Sequence, residues 1–184
     1  MALLPAPEIG LSDDVVILRP WRESDVPRLV EAAQDPEIPR WTAVPEPYTA
    51  ADARAWVRGD PLPGEPPGDR VSFAVAAAED DAQLLAAMGI QRIFRGRTGE
   101  IGYWTAPWAR GRGVMTRAVR LLARWAFAEF DLRRIEIVAA VENTGSNRVA
   151  EKAGFTCEGV LRQYRENNGI WRDHHMWSLL RDEA

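Results

Sequence analysis

GEIGYWTAPWARGRGVMTRAVRLLARW, residues 99–125, decides how this chain is read. A strand-like run, EIGYWTA (100–106), meets a turn carrying Arg110, Gly111, Arg112 and Gly113, and a long helical pattern follows. Val114, Ala118, Leu121, Leu122 and Trp125 fall on one stripe of that helix, with Arg117, Arg120 and Arg124 on the other side. Helix N-termini leave backbone N–H groups unpaired and carry a partial positive charge, so they attract anions. Gly111 and Gly113 lack a Cβ, so positive φ is open to them and a ligand can approach their backbone. The junction therefore predicts a phosphate cradle, with Arg110 and Arg112 adding attraction. If roughly four N–H groups donate there, each charge-assisted bond contributes about 1.5–3 kcal/mol.

Working outward, VVILRP (15–20) is a short β-rich run. ESDVPRLVEAAQD (23–35) has helical spacing, with Ser24 or Asp25 as N-cap. PEIPRWTAVPEPY (36–48) reads as proline-broken loop. Thr49 and Asp52 stand in capping-box spacing at the start of a second short helix. DPLPGEPPGD (60–69) is loop again. VSFAVAAA (71–78) and QLLAAMGIQRIF (83–94) read as a hairpin that leads into the strand at 100–106. RIEIVAAV (134–141) alternates like a strand, a short helix from Ser146 to Ala153 stops at Gly154, and two closing strands flank NNG (167–169). The expected fold is α/β of the α+β kind, a mixed, mostly antiparallel central sheet flanked by helices. Residues 1–13 read as a loose arm and 14–182 as one domain.

The bulk composition bounds the function. The 184 residues are 46% hydrophobic, enough for one well-buried core. A net charge of −4 disfavours a nucleic-acid binder, which usually carries a basic face. The single cysteine, Cys157, excludes an internal disulfide framework and fits a reducing cytoplasm. No apolar run is long enough to span a membrane, and the first residues do not read as a signal peptide. His174 and His175 are adjacent in a strand, so they point to opposite faces, and no third ligand accompanies them as a metal site would need. Trp41, Tyr48 and Trp56 read equally as a substrate mouth or as packing.

Which anion the cradle holds depends on residues further along. No Gly-Lys-Ser/Thr occurs, so a Walker-type loop is excluded, and Thr116 stands where the dinucleotide fingerprint needs its third glycine. IGYWTAPWARGRGVMTRAV (101–119) and VAAVENTGSNRVAEKAGFTCEGVLRQ (138–163), ordered and spaced as they are, resemble the two hallmark segments of the GNAT superfamily of acetyl-CoA-dependent N-acetyltransferases. The match is nearest to the Rim-type branch, which acetylates ribosomal-protein N-termini, and it covers roughly residues 12–180.

The resemblance implies roles by position. The backbone of Arg112, Gly113, Val114, Met115 and Thr116 would cradle the CoA pyrophosphate, with Arg110 and Gly111 shaping the turn. Trp104 and Thr105 would pair with the pantetheine amides where the strand at 100–106 splays from that at 134–141, and Gly102 would leave room for the pantetheine arm. Asn143 and Ser146 would lie on the cofactor's other side, though strand end and helix cap are sufficient reasons for both residues. Ala150 stands where many members carry the tyrosine that protonates the leaving sulfur, so Ser146 is the substitute acid. For the base, the Rim-type glutamate is replaced by Arg165, with Glu166 beside it on the opposite face unless a bulge intervenes. Glu100 is the other candidate, and a plain surface carboxylate is the alternative for either.

The implied reaction moves acetyl from acetyl-CoA to a primary amine by direct attack in a ternary complex, without a metal. An α-amine is roughly one-seventh neutral at pH 7, a handicap near 1 kcal/mol, whereas a lysine faces nearly 5 kcal/mol. The acceptor, a protein N-terminus or a small molecule, is open, and homodimers are common in the family. Two rival readings stand beside this one. The first is an acyl-CoA-sensing module that does no chemistry. The second is an interaction protein whose glycine turn is only structural.

Overall fold

The computed structural model describes Leu4, Ala6, Pro7 and residues 10–60, 69–94 and 96–184. Most of the loop expected at 60–69 lies outside the described residues. Eight strands are described: β1 (Leu11–Ser12), β2 (Val16–Arg19), β3 (Asp69–Ala77), β4 (Leu84–Phe94), β5 (Thr98–Thr105), β6 (Arg134–Ala140), β7 (Thr156–Asn167) and β8 (Ile170–Leu180). They form one sheet in the order β1-β2-β3-β4-β5-β6-β8-β7. Every neighbouring pair is antiparallel except β5 and β6. The helices are α1 (Val26–Ala33), α2 (Glu37–Trp41), α3 (Ala50–Arg58), α4 (Val114–Phe130) and α5 (Thr144–Ala153). This is the mixed, mostly antiparallel sheet flanked by helices that the residue patterns predict.

The helical stripe that opens at Val114 makes the main core. Val114, Ala118, Val119, Leu122, Ala126 and Phe130 are buried at helical spacing along α4, which packs on β2, β4 and β6. They meet Leu18, Phe73, Met88, Ile90, Ile135 and Ile137 from the sheet. A fully buried Leu122 alone contributes about 1.5–3 kcal/mol. The other face is covered by α1 and α3, whose Val26, Leu29, Ala33 and Ala53 pack with Tyr48, from the segment before α3, on Ala74 and Leu84.

Three local expectations change. The stretch 36–48 contains α2, because Pro39 stands in its first turn, where the missing N–H has no helical partner to lose. The last helix starts at Thr144 rather than Ser146. Within the residues read as a loose arm, Leu11 and Ser12 pair with β2, and Asp13 accepts the N–H groups of Val15 and Val16 and bonds Arg117. The Thr49–Asp52 capping box forms as expected, and Gly154 ends α5 at φ 100.

One buried ion pair ties the two ends of this frame. Arg19 and Asp25 are 3% and 2% exposed and bond through two contacts of 2.8 Å. Arg19 also donates to the Asp81 carbonyl, and Asp25 accepts the Arg22 N–H, so β2, α1 and the β3–β4 turn converge on one cluster. Removing one partner leaves a buried charge uncompensated. Asp25→Ala is expected to cost roughly 3–5 kcal/mol in urea unfolding, whereas Glu31→Gln, which breaks only the exposed Arg28 pair, should cost under about 1 kcal/mol.

Candidate active site

The site begins where the sheet opens. β5 and β6 pair at only three positions, Thr98↔Arg134, Gly99↔Ile135 and Glu100↔Glu136. Beyond Glu100, β5 stays with β4 as far as Thr105↔Ala86, and β6 stays with β8 as far as Ala140↔His174. The expected splay is therefore present, and the β5 edge that faces it has no ladder partner. Asn147 holds β6 on its own side. Its Nδ2 donates to the Ala140 and Asn143 carbonyls, while its Oδ1 accepts the Trp177 indole N–H and bonds His175 Nδ1.

A cavity of about 1160 Å³ passes through this opening and reaches both faces of the sheet. Strand alternation sorts its lining. Tyr103 packs on the side of α4 and α5, where Gly113, Thr116 and Ser146 also line the cavity. Trp104 packs among the residues of α1 and α2, and Trp41, Tyr48, Glu100, Arg165 and His174 line the cavity on that side.

The glycine turn has the predicted backbone. Gly111 and Gly113 adopt φ 73 and φ 74, and a Cβ on either would meet nothing within 4 Å. Gly113 is the N-cap of α4, and no side chain caps the helix, so the first-turn groups of Val114, Met115 and Thr116 face the cavity mouth. Arg112 is exposed beside them. Arg110 is differently placed from expectation. Its guanidinium bonds both Asp35 oxygens, at 3.0 and 3.2 Å, and its Nε donates to the Thr105 carbonyl, so its charge is committed. Burial opposes ionisation of Asp35, and Arg110 together with the Glu37 N–H outweighs it, holding that carboxyl below its usual range. Further cations lie one step along α4, where Arg117 pairs with Asp13 and Arg120 donates to the Lys152 carbonyl. A groove of about 370 Å³ is lined by Asp13, Gly113, Thr116, Arg117, Arg120, Arg124 and Lys152. The signal was present in the arginine spacing that starts within a turn of Gly113.

Asn143 and Ser146 stand beside the opening, with exchanged duties. Asn143, not Ser146, caps α5, its Oδ1 accepting the Ser146 N–H at 3.0 Å. That frees the Ser146 hydroxyl, which lies 3.0 Å from the Tyr103 hydroxyl. Tyr103 escaped the sequence reading because its partner is 43 residues away. Burial pushes its phenol up to about 12, with the Ser146 bond pulling slightly the other way.

The two carboxylates also differ from expectation. Glu100 is 4% exposed rather than a surface charge. Arg165 holds both its oxygens, at 2.9 and 2.7 Å, with Arg92 and Gln91 at 3.3 Å. Burial disfavours the Arg165 charge, but the Glu100 carboxylate more than compensates and raises its affinity for the proton. A bulge does occur in β7, between Leu161 and Arg165, but it precedes both Arg165 and Glu166. Glu166 is exposed, and its Oε1 accepts the Gly169 N–H in the hairpin turn.

Relatives agree with this geometry. The family model for the acetyltransferase (GNAT) domain matches residues 16–156. A Bacillus subtilis protein named "Probable N-acetyltransferase YjcK" is 42% identical over 59% of this chain and 60% of its own. The ribosomal-protein-serine acetyltransferase of Escherichia coli is 32% identical over 54% of this chain and 56% of its own. The uncharacterized N-acetyltransferase p20 of Bacillus licheniformis is 30% identical over 90% of this chain and 93% of its own. For the first four curated relatives, the chain spans 56% to 60% of their length. Among solved structures, the ribosomal L7/L12 α-N-protein acetyltransferase RimL in complex with coenzyme A superposes with a TM-score of 0.80 at 23% identity, over 96% of this chain and all of its own, a likeness of fold. A splayed β5–β6 pair with a glycine-capped α4 beside it, matched by that family model over most of the chain, identifies a member of the GNAT acetyltransferase family.

Proposed function

We propose that this chain transfers the acetyl group of acetyl-CoA to a primary amine, in a ternary complex and in the cytoplasm. The observation that carries the reading is that the two left-handed glycines at the start of α4 and the unpaired β5 edge open into one cavity. The residues fit the cofactor. Open space at Gly111 and Gly113 admits a pyrophosphate to the first-turn N–H groups of α4, and the basic groove of Arg117, Arg120, Arg124 and Lys152 continues from them for further phosphate. Thr105 lies on the β5 edge that would pair with pantetheine amides and gives its N–H, since its carbonyl accepts Arg110, whereas the Trp104 backbone turns to Ala87 of β4.

In the reaction the amine lone pair attacks the thioester carbonyl, a backbone N–H of the open β5 edge stabilises the developing oxyanion, and the thiolate departs. The Tyr103–Ser146 pair favours an enzyme over a sensor, because it aims two hydroxyls at the cofactor side of the opening. A phenol near 12 facing a thiol of about 8.5 makes complete proton transfer roughly 5 kcal/mol uphill. Tyr103 and Ser146 therefore stabilise the thiolate by hydrogen bonding, and its proton comes finally from water. Glu100, bonded to two arginines, shapes the acceptor side, and Glu166 holds the hairpin beside it. The acceptor half ends in the aromatic rings of Trp41, Tyr48 and Trp56. A protein α-amine suits it best, since it needs the least deprotonation and is the acceptor named for RimL.

Two measurements test the reading. Isothermal titration should give micromolar acetyl-CoA binding that Gly113→Glu abolishes, since the new carboxylate would stand in the cradle and strain φ 74. Absence of heat with the unaltered protein would reduce the glycines to a structural turn. Tyr103 also gives a pH signature. Its raised folded value means that the fold favours the neutral phenol, so this stabilisation is whole below pH 10 and is lost as the pH rises towards 12. Urea midpoints measured from pH 9 to about 12 should fall less steeply in Tyr103→Phe, and single-turnover acetylation by that variant should slow by about tenfold or more.

A further inference from the structure

On the acceptor side of the opening, Glu100 and Glu166 are engaged, and His174 is held through one ring nitrogen only. His174 is 9% exposed on β8, between Ala140 of β6 and Leu161 of β7, and lines the cavity. Its neighbour His175 points to the other face, where Asn147 holds it. Cross-strand partners share a face, so Arg165, paired with Arg172, projects on the same side as His174. Arg165 in turn bonds Glu100, and Arg172 stacks over Trp41 at 5.1 Å.

The ring's tautomer follows from its one bond. Nδ1 lies 3.0 Å from the Arg172 carbonyl oxygen, which can only accept, so Nδ1 carries the proton. In the neutral ring Nε2 then holds a lone pair, and among the described residues it has no hydrogen-bond partner. The surroundings keep the ring neutral. Burial lowers its proton affinity first, Arg165 and Arg172 lower it further, and the Arg172 carbonyl and Glu142 only partly oppose them. The Tyr164 ring closes over it edge-on at 6.0 Å.

We propose that His174 is the general base, taking the proton of the acceptor ammonium on Nε2. This assignment rests on the acetyl-transfer reading. The ammonium N–H bond breaks and its electron pair stays on nitrogen. That pair forms the N–C bond to the acetyl carbon as the C–S bond breaks, the second proton then leaves the acylated nitrogen through water for the sulfur, and the imidazolium returns its proton to solvent. Base and thiolate stabiliser thus stand on opposite faces of the sheet and meet only through the opening between β5 and β6.

The test uses His174→Gln with acetyl-CoA and two acceptors, a serine-initiated tetrapeptide with a free α-amine, and hydroxylamine, which is already neutral at pH 7. The variant should bind acetyl-CoA within about twofold of the unaltered protein. At pH 7 it should lose about 100-fold in kcat/KM for the peptide, recover as the pH approaches the amine's own pKa, and keep hydroxylamine turnover within about threefold. A peptide pH profile equal to that of the unaltered protein overturns the assignment. So does equal loss with both amines, which would mean a positional role. Long-range ¹H–¹⁵N spectra give an answer independent of activity, since a proton on Nε2 at pH 7 excludes His174 as base. An unaltered protein that binds acetyl-CoA but acetylates neither amine, with His174 in the expected tautomer, would instead overturn the transfer reading itself and this role with it.

Discussion

Glu100 sits at the last position where β5 and β6 touch, and the architecture of the site depends on what holds it there. A carboxylate 4% exposed must be paired, and its principal partner, Arg165, comes from β7, two strands beyond β6. The bidentate contact therefore spans the base of the opening. It anchors the hairpin of β7 and β8 across the gap while β5 and β6 part above it. Losing one partner of such a pair costs about 3–5 kcal/mol, far more than the pair contributes against a hydrophobic substitute. Its value here is geometric: it fixes where the parting starts and how the far hairpin lies over the acceptor side.

A sheet that stayed paired through residue 105 would separate its faces completely. The parting lets side chains of opposite parity act on one point, Tyr103 from the α5 side and His174 from the other. Asn147 keeps the parting open by occupying the carbonyl of Ala140, the last residue of β6, and by binding Trp177 on β8. The same turn delivers Ser146, because Asn143 takes over the capping of α5 and leaves the serine hydroxyl for Tyr103. Structural and chemical duties are thus divided among adjacent residues of one segment.

The legible part of this design was local. A strand, a double-glycine turn and an apolar stripe occupy 27 consecutive residues, 99–125, and each reports its conformation through its own neighbours. The Thr49–Asp52 box and Gly154 are of the same kind. What stayed hidden was pairing at a distance. Tyr103 and Ser146 are 43 residues apart, Glu100 and Arg165 65, and Arg110 and Asp35 75. No period of 2 or 3.6 carries that information. Hence Glu100 reads as a candidate base or a surface charge, and Arg110 as a cofactor-binding residue. The difference at α2 has another origin: Pro39 reads as a helix breaker, but in a first turn it is harmless. His174 was weighed only as a metal ligand, and its proximity to Arg165 and Tyr164 emerges only once β7 and β8 are paired.

Net charge says as little about local pairing. The chain carries −4 overall, which suggests an indifferent or repulsive surface for a polyanion. Yet a ligand is attracted by the local field, and within reach of Gly113 the side chains are Arg117, Arg120, Arg124 and Lys152 against Asp13 alone. Arg110, which precedes the turn, is cancelled by Asp35, so the attraction rests on Arg112 within the turn and on the cations further along α4. That placement separates two requirements. Phosphate recognition keeps its cations at the helix and its N-terminus, while on the acceptor side Arg165 and Arg92 are committed to Glu100 and Arg172 to the Trp41 ring.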